Sequence, residues 1–314
     1  MAQIGLQIEP QFGFTYEQVR DLARLCQEVG FNSLWCSDHL FLDARSEERN
    51  CYDAWSLLSA LAVDTKGVRL GTLVTCASFR YPAVLAKVAA GVDVLSGGRL
   101  EFGIGAGWKE LEYKAYGIPF PPPGERVSRL EEAVQIVKAM WTQPRATFKG
   151  RYYQVQDAFC APKPVQKPHP RIWIGGSQPR VMRILARYGD GINVGGFPSV
   201  QKYRDVMDTL RRECQAVGRD FDSIHKSHFM SAIVGERTQD VEQLLAAAAN
   251  FTGRSLEEER KARTERGFMG SPEGLAERLK EYQALGVSQF MLVFPFAHEA
   301  EQVRLVARKV LPRL

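Results

Sequence analysis

The amino-acid sequence predicts a (β/α)8 barrel, the TIM-barrel architecture, on three observations. Short apolar runs rich in β-branched residues alternate with longer helical patterns, eight such runs can be counted, and 314 residues suits a barrel built as one domain. The expectation is a single domain over residues 1–314, closed rather than doubly wound and open.

The elements follow in order. "IGLQIE" reads as the first strand, "YEQVRDLARLCQEVG" as a helix closed by Gly30, and "SLWCSD" as the second strand. A helix around 52–65 leads to "VRLGTLVT", and one that begins near Pro82 leads to "RLEFGIGAG". The second half continues with "RIWIGG", a helix over about 178–188, "DGINVGG", a helix over about 199–217, and "KSHFMSAIVG". A polar helical stretch, a helix over about 272–285, "QFMLVFP" and an amphipathic helix over about 298–311 complete the count.

Two stretches exceed a minimal barrel. Between strands four and five, "GIPFPPPGERVSRLEEAVQIVKAMWTQ" predicts a helix, and "PRATFKGRYYQVQDAFCAPKPVQKPHP" a hairpin with a proline-rich return. After strand seven, residues 251–270 carry dense mixed charge and read either as a solvated helix or as a lid over the mouth.

"GIGAGW" invites comparison with a dinucleotide-binding turn, which needs G-x-G-x-x-G between a strand and a helix. Gly103, Gly105 and Gly107 instead alternate strictly, which is the period of a strand. The preceding helix has Pro82 in its first turn and stops at Gly97-Gly98.

Composition excludes several classes. A 45% hydrophobic and 25% charged chain, in which no apolar run approaches the ~18 residues of a membrane helix, predicts a soluble protein without a membrane partner. "MAQIGLQIEPQ" lacks the basic and apolar regions of an export signal, so a cytoplasmic protein is expected. The six cysteines form no C-x-x-C pair and no metal-spaced cluster, which predicts free thiols and no metal. A net charge of +5 with dispersed Lys and Arg makes no case for nucleic acid but suits an anionic small molecule.

Catalytic groups of such barrels sit at the carboxyl ends of the strands. There the sequence offers Asp38 and His39 in "SDHL", "TCASFRY" with Cys76 and Arg80, "GAGWKELE", "GGSQPR" and "NVGG". No carboxylate pair, Ser/His/Asp order or His cluster emerges, which disfavours hydrolases and metalloenzymes. Gly175, Gly176 and Ser177 at a helix start suit an anion, with Arg180 one turn on; the alternative is an ordinary corner with a Ser cap. His39 beside Asp38 reads either as functional or as hydrogen-bonded structure, Arg80 as an anion ligand or a pairing Arg, and Cys76 as a small filler.

Together, "SDHL", "GTLVTCASFRYPAVLAK", "LSGGRLEFGIGAGWKELEYKAYGIPF", "ERVSRLEEAV" and "PRIWIGGS" resemble the bacterial luciferase-like superfamily of flavin and deazaflavin enzymes, over about residues 4 to 294. "WTQPRATFKGRYYQVQDAFCAPKPVQKPHPRIWIGG" further resembles the branch dependent on coenzyme F420, a deazaflavin. The resemblance implies an oxidoreductase that moves a hydride between F420 and a small organic substrate. Its alternative is an FMN-dependent monooxygenase supplied by a separate flavin reductase. A flavin-binding protein without turnover and a phosphate-handling isomerase are the remaining rivals. The open mouth disfavours the first and the missing base the second.

By the same resemblance, a bulge after strand three holds a non-prolyl cis peptide at Leu73-Val74, against which the cofactor ring rests, with Thr75 and Cys76 following. Gly103, Gly105, Ala106 and Gly107 leave room in the cofactor pocket, and Gly175, Gly176 and Ser177 bind its phosphate. Asp38 and His39 lie at the ring's reactive edge, with His39 handling a proton. Sugar-phosphate dehydrogenases of the family carry Glu where this chain has Trp108, which argues against such a substrate and leaves Glu112 and Tyr116 as the polar candidates, Glu112 being taken with His39 as catalytic. Lys163, Lys167, Arg171 and Arg180 are expected to meet an anionic cofactor tail, and a homodimer is implied.

Overall fold

A computed structural model describes residues 2–194 and 199–314. The first half runs β1 (Gln3–Ile8), α1 (Tyr16–Val29), β2 (Ser33–Cys36), α2 (Ala54–Asp64), β3 (Arg69–Thr72), β4 (Thr75–Cys76), α3 (Pro82–Leu95) and β5 (Leu100–Gly105). The excursion comprises α4 (Glu110–Ala115), α5 (Pro123–Thr142), β6 (Ala146–Lys149) and β7 (Gln154–Ala158). The chain then follows β8 (Arg171–Gly175), α6 (Pro179–Tyr188), β9 (Gly191–Val194), α7 (Val200–Ala216), β10 (His225–Val234), α8 (Thr238–Thr252) and α9 (Leu256–Arg266). It ends with β11 (Gly267–Gly270), α10 (Pro272–Gln283), β12 (Gln289–Val293) and α11 (Glu299–Lys309).

Strands β1, β2, β3, β5, β8, β9, β10 and β12 pair in parallel, and the ring closes where Gln3 lies opposite Gln289 and His225 opposite Gly191. This is the (β/α)8 barrel the alternation predicts. Local signals set the helix ends. The Thr15 hydroxyl accepts from the Gln18 N–H while the Gln18 side chain accepts from the Thr15 N–H, and Gly30 ends α1 at φ 89°. Pro82 opens α3, and Gly97 and Gly98 at φ 68° and 86° stop it.

Inside the barrel Trp35 and Trp173 meet edge to face at 5.7 Å and pack with Met291. A Cβ at Gly71 would run into the Trp35 ring and one at Gly191 into Trp173, so the glycines are the complement of the indoles. Beneath them the buried Glu101 carboxylate accepts from Trp173 Nε1 at 2.6 Å, Arg69 Nε at 2.5 Å and Arg171 Nη1 at 3.1 Å. This network forms the floor.

The hairpin predicted between strands four and five is β6 and β7, paired antiparallel. The charged segment after strand seven differs from both readings in one respect: it forms α9 and then β11, which adds in parallel to the outer half of β10. Helix α9 starts in a capping box of Ser255 and Glu258, and the buried Glu259 ties Arg254 to Arg263 at 3.1 and 2.7 Å. It is thus a formed helix with a buried ionic anchor. Among the described residues no helix is long and apolar enough to cross a membrane.

Candidate functional site

The carboxyl ends of the barrel strands surround a cavity of about 680 Å³. Its lining includes Asp38, His39, Leu73, Val74, Thr75 and Cys76 from the β2 and β3 ends. Gly105, Ala106, Trp108 and Glu112 join from the β5 side, and Gly175, Gly176 and Ser177 from the β8 end. Of the residues the sequence singled out, these border one cavity, whereas Gly103, Arg80, Lys163, Lys167, Arg171 and Arg180 do not line it and Tyr116 is exposed and stacks on Phe41. Gly195 and Gly196 of "NVGG" lie outside the described residues.

The Leu73-Val74 peptide is cis, at the position the resemblance assigned. What surrounds it revises the reading of the glycines. A Cβ at Gly105 would come within 2.7 Å of Val74 Cγ2, one at Gly175 within 2.9 Å of the same carbon, and one at Gly103 would run into the Thr72 carbonyl oxygen. Gly107, at φ 76°, adjoins Tyr113 Oη and Cys76 Sγ. These glycines thus make room for the bulge and for Tyr113, and the bulge in turn presents Leu73 and Val74 to the cavity.

Asp38 holds that bulge in place. Its Oδ2 accepts from Thr75 Oγ1 at 2.6 Å, from the Cys76 N–H at 3.0 Å and from Arg80 Nη1 at 2.6 Å, while Oδ1 accepts from Arg80 Nη2 at 3.0 Å. Trp55 Nε1 donates to Thr75 Oγ1 at 3.0 Å, and Arg80 also pairs with Asp53, the cap of α2. Of the two sequence readings of Arg80, the pairing one holds. Burial pushes the Cys76 thiol up to about 11, and its sulfur sits 2.9 Å from Tyr113 Oη, so this cysteine is a filler rather than a thiolate.

His39 borders the same cavity. Its Nδ1 is 3.0 Å from both Glu112 oxygens, and Oε1 also accepts from the Leu40 N–H at 2.8 Å and lies 3.4 Å from Lys109 Nζ. Burial would raise the Glu112 carboxyl, but the His39 hydrogen bond and charge, the Leu40 N–H and the Lys109 ammonium outweigh it and hold its pKa below the usual carboxylate range. A carboxylate so held accepts hydrogen bonds, and it is turned toward His39. Trp108 covers His39 edge on at 5.7 Å and is 71% exposed.

At the β8 end the chain turns through Gly176 at φ 136° into α6, which opens at Pro179. The capping position is Gln178, without a side-chain hydrogen bond, so the Ser177 cap of the alternative reading is not formed. The basic residues expected around this turn lie elsewhere. Arg171 begins β8, roughly 13 Å from its Gly175 end at the usual strand rise, and pairs with Glu101 in the floor. Lys163 donates to the carbonyls of Met140 and Gln143, Lys167 to Pro164, and Arg180 to Gly124 and Ser128 on α5. Among the described residues, the Lys and Arg side chains that line the cavity are Arg126 and Lys109. Arg126 lies 4.1 Å from the Phe120 ring centre and donates to the Pro121 and Gly107 carbonyls, and Lys109 donates to the Phe41 and Leu42 carbonyls. Both fall in stretches the sequence analysis quotes, Lys109 in "GAGWKELE" and Arg126 in "ERVSRLEEAV", but neither was singled out there, because each reaches the cavity only through the folding of the excursion after β5.

A cavity of this size accommodates a tricyclic ring with a phosphate-bearing tail. The flat wall of Leu73 and Val74 suits the ring, and the glycine turn at the start of α6, with Arg126 on the same cavity, suits the phosphate. The residues present therefore fit such a cofactor.

Comparison with known proteins agrees with this geometry. The profile of the luciferase-like monooxygenase family matches residues 2–289. A protein of Kineococcus radiotolerans named F420-dependent glucose-6-phosphate dehydrogenase is 35% identical over 68% of this chain, and the alignment spans only 63% of that relative. Its namesake in Microbacterium testaceum is 30% identical, with 97% of this chain and 94% of that one covered. The FMNH(2)-dependent dimethylsulfone monooxygenase of Pseudomonas putida is 26% identical, over 97% and 90% of the two chains. An F420-dependent secondary alcohol dehydrogenase in complex with an F420-acetone adduct superposes with a TM-score of 0.84 at 20% identity, over 99% of this chain and 98% of that one, and so shares the fold.

Proposed function

The chain belongs to the luciferase-like monooxygenase family, and from that membership we propose that it is an F420-dependent oxidoreductase that moves a hydride between bound deazaflavin and a small organic substrate. The observation that carries this reading is that one cavity is lined both by the Leu73-Val74 bulge and by the His39–Glu112 pair. The similarity to proteins named for F420 supports it.

When bound, the deazaflavin supplies or takes up the hydride. The chain does the rest. Leu73 and Val74 support the ring face, and Asp38, through Thr75, the Cys76 N–H and Arg80, keeps that wall fixed. Gly175, Gly176 and Ser177 hold the phosphate against the start of α6. His39 takes or returns the proton that accompanies the hydride at a substrate oxygen. Trp108, Phe79 and Phe229 keep water from the reacting atoms. The sugar-phosphate substrate of the named relatives is not carried over, because an indole stands where the resemblance expects a carboxylate.

Similarity to an FMNH(2)-dependent monooxygenase keeps a second reading open: FMN with a separate flavin reductase on the same fold. Titration of the purified protein with each cofactor, followed by fluorescence, separates the two. Tighter binding of F420, weakening as salt rises, is expected; tighter binding of FMN would overturn the reading.

The outward faces of α2 and α3 support the homodimer. Val63, Val84, Val88 and Leu95 stand exposed on these two largely apolar helices, a pattern that a partner's surface would cover. Sedimentation of Val84→Glu/Val88→Glu as a monomer, where the parent is a dimer, is the expected result. The free cysteines and the proposed soluble redox cofactor suit a cytoplasmic enzyme.

A further inference from the structure

We propose that Glu112 is a positioning residue that fixes His39 as the Nδ1–H tautomer, so that Nε2 is the nitrogen that exchanges the proton with substrate. The proposal deepens the function given above, since it rests on His39 as the proton-handling group.

The argument is one of donors and acceptors. Glu112 is 1% exposed, and its carboxylate receives the Leu40 N–H at 2.8 Å, the Phe41 N–H at 3.4 Å and the Lys109 ammonium at 3.4 Å, all on Oε1. Three donors around one buried oxygen stabilise the anion, and an anionic carboxylate can only accept. Nδ1 of His39 lies 3.0 Å from both of its oxygens. A bare Nδ1 lone pair at that distance would face two more lone pairs, so Nδ1 carries a hydrogen in both the neutral and the cationic ring. Nε2 is then the nitrogen that gains and loses the proton. Because His39 lines the cavity while Glu112 engages its other side, Nε2 is left for the substrate.

Lys109 completes the arrangement. Its ammonium donates to the Phe41 and Leu42 carbonyls at 2.6 and 2.7 Å, which ties the loop carrying His39 to the start of α4, the helix that carries Glu112. The geometry therefore sets both the tautomer and the ring orientation. The logic is that of an acid that orients a histidine without taking its proton.

A bound oxidised deazaflavin would supply the two-electron acceptor for the hydride of a substrate alcohol's C–H bond; His39 Nε2 would then take the O–H proton as the carbonyl forms, and for carbonyl reduction Nε2–H would be the donor.

The test begins with the protein free of cofactor, so that its outcome is independent of the cofactor assignment. In 15N-histidine-labelled protein, long-range 1H–15N correlation, assigned with His39→Gln, should show His39 as the Nδ1–H tautomer with an acceptor Nε2. In Glu112→Gln that tautomer should give way to a mixture. With cofactor and substrate the variant should lose roughly 10-fold to 100-fold in kcat while KM and cofactor affinity change less than about twofold. An Nε2–H tautomer in the parent protein, or an unchanged tautomer and kcat in Glu112→Gln, overturns the proposal. The parent spectrum alone decides the matter if the variant fails to fold. Failure of F420 to bind would sink the function proposed above and leave the tautomer result standing.

Discussion

The two ends of the barrel each bury a carboxylate among basic groups, yet they do opposite things with it. At the floor, Glu101 is met by Arg69, Arg171 and Trp173 Nε1, and the indoles of Trp35 and Trp173 seal the space above. At the mouth, Glu112 is met by Lys109, Leu40 N–H and His39, and Glu112, Lys109 and His39 all border a cavity of about 680 Å³. A network closed on itself contributes stability. One whose outermost member faces open space is available for chemistry, and in that sense the same buried acid serves two ends.

The largest expected effect breaks the mouth alone. His39→Ala should lower kcat by about 100-fold, the usual scale for a positioned acid or base, with deazaflavin affinity within about threefold of the parent. Near-normal turnover would make His39 structural. At the floor the outcome reverses: Glu101→Leu leaves Arg69 and Arg171 without their anion and should cost roughly 2–3 kcal/mol in denaturant unfolding, below the full range for a broken buried pair because both arginines are partly exposed. Its kcat per folded molecule should hardly change.

Gly175→Ala probes the join between wall and turn. The new Cβ would lie 2.9 Å from Val74 Cγ2, so a loss of about 1–3 kcal/mol in stability is expected, together with weaker cofactor binding. Unchanged binding would show that the bulge and the turn act independently.

Two mouth acids give smaller, pH-dependent effects of opposite sign. The Glu112 pKa is lowered by its partners, so its contribution is present above the ordinary carboxylate value and is lost as pH falls through its own. The melting temperature of Glu112→Gln should thus lie below the parent near neutral pH, and the gap should shrink in acid. Glu299 lies beyond β12, and burial pushes it up to about 7 despite backbone hydrogen bonds. Its folded form holds the proton more tightly, so that contribution is present at low pH and is lost as pH rises through about 7. Glu299→Gln should therefore gain on the parent as pH rises from the ordinary carboxylate value to about 7 and keep that advantage above it, and a constant difference from pH 5 to 8 would contradict it.

How much of this was legible in the sequence follows from the range of each interaction. The strands, the Gly30 and Gly97-Gly98 stops and the Pro82 start rest on local backbone preferences, and the chain spells them out. The cis Leu73-Val74 peptide and the placement of His39 came through motif resemblance. The occupants of the glycine spaces did not, because Val74 meets Gly105 and Gly175 only once three strands are side by side. Arg126 and Lys109 were missed for the same reason, and Lys163, Lys167 and Arg171 were misplaced because nearness to Gly175 in sequence is distance along a strand in space. Strand β11 was hidden by the charges of α9 that precede it.

The most direct test of the account is a crystal structure of the protein with oxidised F420. The ring should lie on Leu73 and Val74 with its reactive edge toward His39 Nε2, and the phosphate should sit at Gly175, Gly176 and Ser177. A ring bound away from the bulge, or a phosphate held at some other strand end, would contradict it.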